Sequence, residues 1–245
     1  MKLKDKVAVV TGGGRGIGRA IAEAFSREGA KVIVTAARQK AEIEAVASRI
    51  NGAALVADVS KSDEVSLLVD SALSRFGRID ILVNNAARGM RFVNESFMTE
   101  PRPFWEADID AWRMVIDTNI TGVFLVTKAV VPYMLKRESG RIINISISEE
   151  TMRRKGFTPY GPSKAALESM SAIWAQELAG TGITVNVLLP GGPTNTGMIP
   201  DSFPESKRKD LIDPQVMGPP AVYLASDDAR EINGQRIIAI EFGRA

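Results

Sequence analysis

The fold of this chain is decided by the stretch VAVVTGGGRGIG, which covers residues 7–18. It begins with a run of apolar residues that is typical of a buried parallel strand. After the glycines, Ile17, Ile21 and Phe25 recur at helical spacing and predict an amphipathic helix. A strand, a glycine turn and a helix in this order direct free backbone N–H groups toward a phosphate. The stretch therefore predicts a phosphate-binding site.

The glycine turn is the first part of that site. A side chain at Gly12, Gly16 or Gly18 would block the approach of a pyrophosphate or the packing of the helix on the sheet. A glycine-rich turn without a ligand is the alternative, but the flanking strand and helix favour binding. The residues expected at the phosphates are Gly12, Gly14, Arg15, Gly16, Ile17 and Gly18.

Bulk composition narrows the class of protein. The 245 residues suit one domain, predicted over 1–245, and 45% of them are apolar and 24% charged. A net charge of +2 with interspersed signs gives no nucleic-acid footprint. The chain has no cysteine and no histidine, which excludes disulfides, Ser-His-Asp catalysis and most zinc sites. Acid–base chemistry is therefore expected from Tyr, Lys or carboxylates, with no metal.

Two observations predict a cytoplasmic protein. The first residues, Met1–Lys6, lack an apolar signal core. No uninterrupted apolar run approaches the ~20 residues that cross a bilayer, so no membrane association is expected.

Predicted strands and helices alternate along the chain. The strands are Val7–Val10, Lys31–Thr35, Ala53–Ala57, Ile79–Val83, Arg141–Ile147, Thr184–Leu189 and Arg236–Ile240. The helices after the first are Gln39–Ile50, Ser62–Phe76, Ala111–Lys136, Tyr160–Ala179 and Pro214–Ser226. This alternation predicts an α/β fold with a doubly wound parallel sheet of seven strands flanked by helices.

Polar residues follow several of these strands. Asp58-Val59, Asn84–Ala87 and Pro190–Thr196 each come directly after one. Singly, such residues form turns or caps. Ligands of a doubly wound sheet bind beyond the carboxyl ends of its strands, so their convergence there predicts a binding crevice.

Tyr160 and Lys164 provide the candidate chemistry. They lie four residues apart at the start of a predicted helix, so their side chains share a face. A free phenol has a pKa near 10, too high for efficient proton transfer near neutral pH. We expect the Lys164 ammonium, together with a cationic nicotinamide, to lower the pKa of Tyr160.

In these motifs the chain resembles the short-chain dehydrogenase/reductase family over nearly its whole length. The matching pieces are Thr11–Gly18, Asp58, Asn84-Asn85-Ala86, Asn119, Tyr160 with Lys164, and Pro190-Gly191 with nearby threonines. The resemblance implies a single-domain Rossmann-type fold and hydride transfer between a nicotinamide cofactor and a carbonyl or alcohol. It also implies a homotetramer or homodimer through the long helices after the fourth and fifth strands.

The resemblance also implies roles for individual residues. Tyr160 would give or take the proton, and Lys164 would hold the ribose and tune the phenol. Asn119 would kink its helix and anchor a water. The remaining cofactor contacts would come from Asp58, Val59, Asn85, Ala86, Pro190, Gly191, Thr194 and Thr196.

Two positions depart from the family pattern. Ala87 stands where a glycine is usual, which narrows the floor of the cofactor site. Ile147 stands where a serine usually orients the substrate oxygen. Ser146 and Ser148 flank it, and in a strand both would point to the opposite face. Ser148 replaces that serine only if it turns inward where the strand ends.

The cofactor is expected to be NADP(H) rather than NAD(H). NAD enzymes place an acid at the end of the second strand, whereas this chain has Thr35-Ala36-Ala37-Arg38 there. Arg15 and Arg38 together would clamp a 2′-phosphate. The alternative for Arg38 is an exposed residue at the start of a helix.

The substrate region permits fewer inferences. Phe92, Phe97, Phe104 and Trp105 form either an apolar wall or the packing of a long loop. The segment Ile199–Asp213 resembles the family's mobile lid. An anionic substrate could be bound by four arginines, but only where their side chains point inward: Arg88, Arg91, Arg153 and Arg154.

Three functions remain open at this point. The first is an NADP(H)-dependent oxidoreductase that interconverts a ketone or aldehyde and an alcohol. The second reduces an imine or an activated C=C bond with the same cofactor. The third is a non-catalytic dinucleotide-binding sensor, which Ile147 at the serine position motivates.

Overall fold

A computed structural model describes residues 1–243 of the chain. These residues form one parallel sheet of seven strands in the order β3-β2-β1-β4-β5-β6-β7. The strands are β1 (Val7–Thr11), β2 (Lys31–Ala36), β3 (Ala53–Val56), β4 (Ile81–Asn84), β5 (Gly140–Ile145), β6 (Ile183–Leu189) and β7 (Arg236–Ile238). The predicted doubly wound sheet is confirmed. Residues 244–245 of the predicted domain lie outside the described residues.

Helices cover both faces of the sheet. They are α1 (Gly16–Arg27), α2 (Lys40–Arg49), α3 (Ser62–Phe76), α4 (Ile109–Ile116), α5 (Gly122–Leu135), α6 (Glu149–Met152), α7 (Tyr160–Glu177), α8 (Glu205–Arg208) and α9 (Gly218–Ala225). One core cluster joins α1, α2 and α9 to the sheet, and the other joins α3, α5 and α7 to its opposite face. Strand order reverses between β1 and β4, so the crevice of such a sheet opens there.

The apolar runs of the strands follow from this two-sided burial. Along β1, Val7 and Val9 belong to one core cluster, whereas Ala8 and Val10 belong to the other. Successive side chains of a strand point to opposite faces, so a strand covered by helices on both sides needs apolar residues throughout.

The long helix predicted over 111–136 is broken. Its described counterpart starts at Ile109, passes through a π-helical turn at Asp117–Thr121 and continues as α5 to Leu135. A π-turn inserts an extra residue into the helical hydrogen-bond pattern, which periodicity of apolar residues does not reveal. Asn119 lies inside this turn and is fully buried.

Several predicted elements are longer than the observed ones, among them two strands and one helix near the ends of the sheet and the site. β5 ends at Ile145 rather than Ile147, because Ser148 caps the short helix α6. β7 ends at Ile238 rather than Ile240, and a 3₁₀ turn follows it. The helix predicted from Pro214 begins as a 3₁₀ turn, and α9 starts only at Gly218.

One helical segment qualifies as a membrane span by length and composition. It is Ile109–Leu135, in which polar residues such as Asp117 and Asn119 interrupt the apolar ones, so it is not an uninterrupted apolar run. Of its most apolar window, 44% is buried inside the protein, and α5 packs on the sheet within the second core cluster. A core helix passes the same test, so this is weak evidence for a membrane span.

Candidate active site

The glycine turn between β1 and α1 is held against the end of β4. Gly12 has a φ of +65°, and an added Cβ would lie 3.0 Å from the Cα of Ala86. An added Cβ at Gly18 would collide with the carbonyl oxygen of Gly12. Both positions therefore require glycine, one for backbone conformation and one for close packing of the helix on the turn.

Asn85 ties β4 to that turn. Its side-chain nitrogen donates to the carbonyl oxygens of Thr11 at 2.8 Å and Gly12 at 3.0 Å. The Thr11 hydroxyl accepts in return from the backbone nitrogens of Asn85 and Ala86, both at 3.0 Å. Both amide hydrogens of the Asn85 side chain are thus used in holding the glycine turn, so this side chain fixes the shape of the turn.

Beside the turn lies a cavity of about 500 Å³, called here the larger cavity. It opens at the carboxyl ends of the central strands. The predicted cofactor residues that line it are Gly12, Gly14, Arg15, Gly16, Ile17, Arg38, Asp58, Val59, Asn85, Ala86 and Thr196. Gly18 does not line it, because this residue packs under the turn.

Four arginines, called here the basic wall, line the larger cavity together with the carboxylates Glu42, Asp58 and Glu95. They are Arg15, Arg38, Arg88 and Arg91. Burial lowers the pKa of Arg88 below its usual value, and the nearby charge of Arg38 lowers it further. Two guanidinium groups that repel one another across a cavity wall favour an anion between them. Arg15 has a competing partner, since its guanidinium lies 3.6 Å from the Glu42 carboxylate.

Asp58 follows β3 on the same cavity wall. Burial alone would raise the pKa of its carboxyl group, but hydrogen bonds from the Ser60 hydroxyl and backbone, with the charges of Arg88 and Lys61, lower it overall. The Ser60 hydroxyl donates to the carboxylate at 2.7 Å. Asp58 is therefore an ionised acceptor with one oxygen already fixed.

A second cavity of about 150 Å³, the smaller cavity, lies beside the larger one. Ile17, Asn85, Thr196 and Met198 line both, so the two cavities are adjacent and share a wall. The predicted residues on the wall of the smaller cavity are Ile17, Asn85, Tyr160, Lys164, Pro190, Thr194 and Thr196. Gly191 does not line this cavity; it has a φ of +105°, and an added Cβ there would lie 2.6 Å from the Ile240 side chain.

Tyr160 and Lys164 lie on the first turns of α7, as the spacing predicts. Lys164 is 3% exposed, and its ammonium donates to the carbonyl oxygen of Ile145 at 2.7 Å. Burial lowers the pKa of Lys164 to about 8 and raises the pKa of Tyr160 to about 12. In the protein alone, loss of water around the ring raises the phenol pKa, and the lowering expected from Lys164 together with a bound cationic nicotinamide stays a prediction.

Asn119 connects the start of α7 to the loop after β4. Its side-chain oxygen accepts from the backbone nitrogen of Arg88 at 2.8 Å, and its nitrogen donates to the Arg88 carbonyl at 3.0 Å. The same nitrogen donates to the Ser163 hydroxyl at 3.0 Å, which donates to the Tyr160 carbonyl at 2.7 Å. Asn119 lines neither cavity, so its side chain positions Arg88 and the start of α7.

The serine position is occupied by the Ile147 side chain, which lines the smaller cavity. Ser148 also lines it, and its hydroxyl lies 2.8 Å from that of Thr151, another lining residue. The Ser146 hydroxyl is buried and has no hydrogen-bond partner within residues 1–243. The hydroxyls of Ser148 and Thr151 therefore belong to residues that line the same cavity as Tyr160.

The aromatic residues of the loop after β4 divide into two groups. Phe97 is buried, packs edge-on to Phe157 with ring centres 5.4 Å apart, and lines the smaller cavity. Phe92, Phe104 and Trp105 are exposed. Only Phe97 therefore forms the predicted wall of the smaller cavity.

The segment after β6 covers the cavities. Met198 lies over Tyr160, and Ile199 lines the smaller cavity. Arg91 joins this segment to the loop after β4: its guanidinium binds Glu95 at 2.9 Å and Asp201 at 2.6 Å. The Asp201 backbone nitrogen donates to Glu95 at 3.1 Å.

Sequence reasoning missed some of these residues. Thr151 had a signal, because it follows Ser148 by three residues and such pairs meet on one side of a helical turn. Met198 and the partnership of Arg91 with Asp201 had none, since they depend on contacts between residues 38 and 110 positions apart in the chain.

Comparison with known proteins agrees with this geometry. A family model described as short chain dehydrogenase matches residues 6–207. A 3-oxoacyl-(acyl-carrier-protein) reductase of Synechocystis is 41% identical over 77% of this chain and 74% of its own. The reductase of that name from Thermotoga maritima is 33% identical over 99% of both chains.

Solved structures give the same result. A short chain dehydrogenase of Shigella flexneri, complexed with NADP, is similar with a TM-score of 0.86 and 28% identity over 98% of both chains. A short chain dehydrogenase/reductase family protein has a TM-score of 0.83 and 29% identity over 97% of both chains. This chain therefore belongs to the short-chain dehydrogenase/reductase family and is an NAD(P)-dependent oxidoreductase.

Proposed function

We propose that this protein interconverts ketones or aldehydes and alcohols, with NADP(H) as the hydride carrier and Tyr160 as the proton donor and acceptor. The observation that carries the proposal is the wall that the two cavities share. Tyr160 lines the smaller cavity, and Ile17, Asn85 and Thr196 line both this cavity and the glycine-lined larger one. A carbonyl compound in the smaller cavity would meet both the phenol and the inner end of the larger cavity.

The residues present fit a dinucleotide. The larger cavity has glycine backbone at its base, and a Cβ at Gly16 would lie 3.0 Å from Thr196. The residues that would contact the dinucleotide are Gly12, Gly14, Arg15, Gly16, Ile17, Arg38, Asp58, Val59, Asn85, Ala86, Tyr160, Lys164, Pro190, Thr194 and Thr196, whereas Gly18 and Gly191 would support the cavity walls from behind. When bound, NADP(H) supplies or accepts the hydride.

Tyr160 moves the proton in this proposal. With a pKa of about 12, the phenol is protonated at neutral pH but is a weaker acid than a free phenol, so the proposal requires the bound cofactor and Lys164 to lower this pKa in the complex. In the reverse direction it must lose that proton. The buried ammonium of Lys164, one turn further along α7, would favour the phenolate that then forms. Asn119 acts through Ser163 by holding the start of α7 in place.

Ser148 and Thr151 are the candidates for orienting the substrate oxygen. Ile147 has no hydrogen-bond donor, whereas the two hydroxyls line the same cavity as Tyr160. They lie 2.8 Å apart, so one can donate to the other while the second donates to substrate. This pair supports a catalytic protein over a sensor that has lost its oxygen-orienting group.

The basic wall supports NADP(H) over NAD(H). Arg38 forms no ion pair within residues 1–243 and lies close enough to Arg88 to lower the pKa of that residue. A 2′-phosphate between them would relieve this repulsion. NADP is also named in the complex with the Shigella flexneri relative.

Turnover tests the proposal directly. The protein is mixed with NADPH and a panel of ketones, aldehydes, imines and activated alkenes, and the absorbance of the reduced nicotinamide is followed. We expect carbonyl reduction that falls by about 10²–10⁴ in Tyr160→Phe, with NADPH binding retained. Tyr133→Phe, on α5, is the matched control and keeps full activity.

The other results identify the alternatives. Reduction of imines or alkenes but of no carbonyl would replace the proposal with the second function. NADPH binding without turnover of any compound would replace it with the sensor.

Assembly and location are part of the proposal. On α5 and α7, Phe124 and Ile173 are 43% and 49% exposed, and Ala165 and Ala172 beside Ile173 are small and exposed. Apolar side chains on such helices favour contact with a second copy. We therefore propose a homodimer or homotetramer in the cytoplasm, and sedimentation equilibrium tests the assembly.

A further inference from the structure

The charged groups on the wall of the smaller cavity have one sign. Within residues 1–243, the charged side chains that line it are Arg154 and Lys164, and no carboxylate lines it. The rest of the wall is mainly apolar, with Phe97, Phe157 and Met198 among its members. A cavity with cations and no anion attracts a negatively charged ligand, and apolar walls strengthen that attraction by excluding water.

Of the two cations, Arg154 is the one available to a substrate. The Lys164 ammonium is already bound to the Ile145 carbonyl oxygen at 2.7 Å. Arg154 forms no ion pair with any residue in 1–243, and its guanidinium carbon lies 5.5 Å from the ring centre of buried Phe157. The aromatic face holds the guanidinium at the cavity rim and leaves its N–H groups unpaired.

The neighbouring Arg153 has a different environment. Its side chain is 81% exposed, pairs with Glu149 at 3.5 Å and does not line the cavity. Both residues are exposed, but Arg154 lines the rim of the smaller cavity whereas Arg153 does not.

We propose that the natural substrate is a carbonyl compound that carries a carboxylate, and that Arg154 is the specificity-determining residue that binds this group. This inference rests on the proposed function, since it concerns the substrate of the same site. The guanidinium fork matches the two carboxylate oxygens, and the volume of about 150 Å³ limits the body of the substrate to a short chain.

Matched substrate pairs test the inference. Short-chain keto acids and their methyl esters differ in charge while they keep the reacting carbonyl. We expect the wild type to prefer the acids through a lower KM. In Arg154→Gln the KM for the acids rises about tenfold to a hundredfold, with kcat and the esters little changed. Arg153→Gln is the control and leaves both KM values as in the wild type.

A binding measurement separates the two proposals. Hexanoate and hexanamide are titrated calorimetrically into wild type and Arg154→Gln in the presence of NADP⁺. Hexanoate binding that weakens in Arg154→Gln supports the carboxylate site even where no carbonyl compound is turned over, which would defeat only the proposed function. Equal KM values for acids and esters in the wild type, or equal binding of hexanoate to both proteins, would overturn the inference.

Discussion

The thioether sulphur of Met198 lies 4.0 Å from the hydroxyl oxygen of Tyr160. Met198 belongs to the segment after β6, whereas Tyr160 begins α7, so two separate parts of the chain meet at the proposed proton donor. Methionine is flexible and unbranched, and it adapts to irregular space. A substrate oxygen that reaches the phenol must displace this side chain or share the space beside it.

Shortening Met198 should widen the substrate range. In Met198→Ala we expect kcat/KM for branched ketones to rise about tenfold. The shorter side chain leaves space for the branch, and space for one methylene changes the ratio of kcat/KM between two substrates by about tenfold or more. Small ketones should change little. Met198→Leu fills similar volume and is the control. Equal gains for small and branched ketones would mean that Met198 does not limit space beside the phenol.

The contacts of Arg91 should slow the release of the cofactor. Its guanidinium joins Glu95 to Asp201 across the mouth of the larger cavity, so the two covering segments open only when these contacts break. We expect NADPH to dissociate roughly twofold to fivefold faster from Arg91→Ala, as exposed ion pairs contribute modestly. Stopped-flow fluorescence of NADPH measures the rate. Arg113→Ala removes an exposed pair with Asp110 on α4 and should leave the rate unchanged.

Arg38 should discriminate between the two dinucleotides. In Arg38→Ala we expect the Kd of NADPH to rise about tenfold, with little change for NADH. NADPH loses a charge-assisted hydrogen bond to its 2′-phosphate, and NADH has no such phosphate. Lys40→Ala is the control, because Lys40 is exposed and pairs with Glu44. Equal weakening of both cofactors would contradict the phosphate clamp.

The buried ammonium of Lys164 should make stability depend on pH. Burial lowers the pKa of Lys164 from 10.5 to about 8. Between these values the unfolded chain binds more protons than the folded protein, so stability rises with pH. The difference in unfolding free energy between wild type and Lys164→Met should increase by about 3 kcal/mol from pH 8 to pH 10.5.

Denaturant unfolding of both proteins at several pH values measures that difference. Tyr160 contributes to both proteins, so its own raised pKa cancels. A difference that stays constant or falls across the window would show that the ammonium is not desolvated.

Ser148 and Thr151 should share the task of the missing serine. Removal of both hydroxyls in Ser148→Ala with Thr151→Val should lower kcat by about 10²–10³, as loss of an oxygen-binding donor does. Adding Ile147→Ser to that double variant should restore part of the activity. If the double variant keeps full activity, Tyr160 orients the carbonyl oxygen alone.

The sheet was predictable because its signals are local. The apolar runs of β1 and β4 and the glycine turn lie in continuous stretches, and the fold follows from their order. The π-turn at Asp117–Thr121 was not predictable, because apolar spacing on either side fits an unbroken helix. The end of β5 depends on Ser148 as a cap, a local signal too weak to place a boundary.

The sequence predicts which residues form the site better than it predicts their pKa values and burial. Tyr160 and Lys164 are neighbours because helical spacing makes them so. The direction of the Tyr160 pKa shift depends on burial, which the sequence does not contain. Phe97 and Trp105 look alike as aromatic loop residues, yet one is buried and the other is 73% exposed, since only tertiary contacts separate them.

The site depends on an irregular helix, because the π-turn at Asp117–Thr121 places Asn119. Each residue of an α-helix advances about 100° around the axis, so deletion of one residue from Asp117–Thr121 would rotate one half of the helix against the other. Asn119 could then no longer reach both Arg88 and Ser163. A straighter helix would thus detach the loop that carries the basic wall from the helix that carries the phenol.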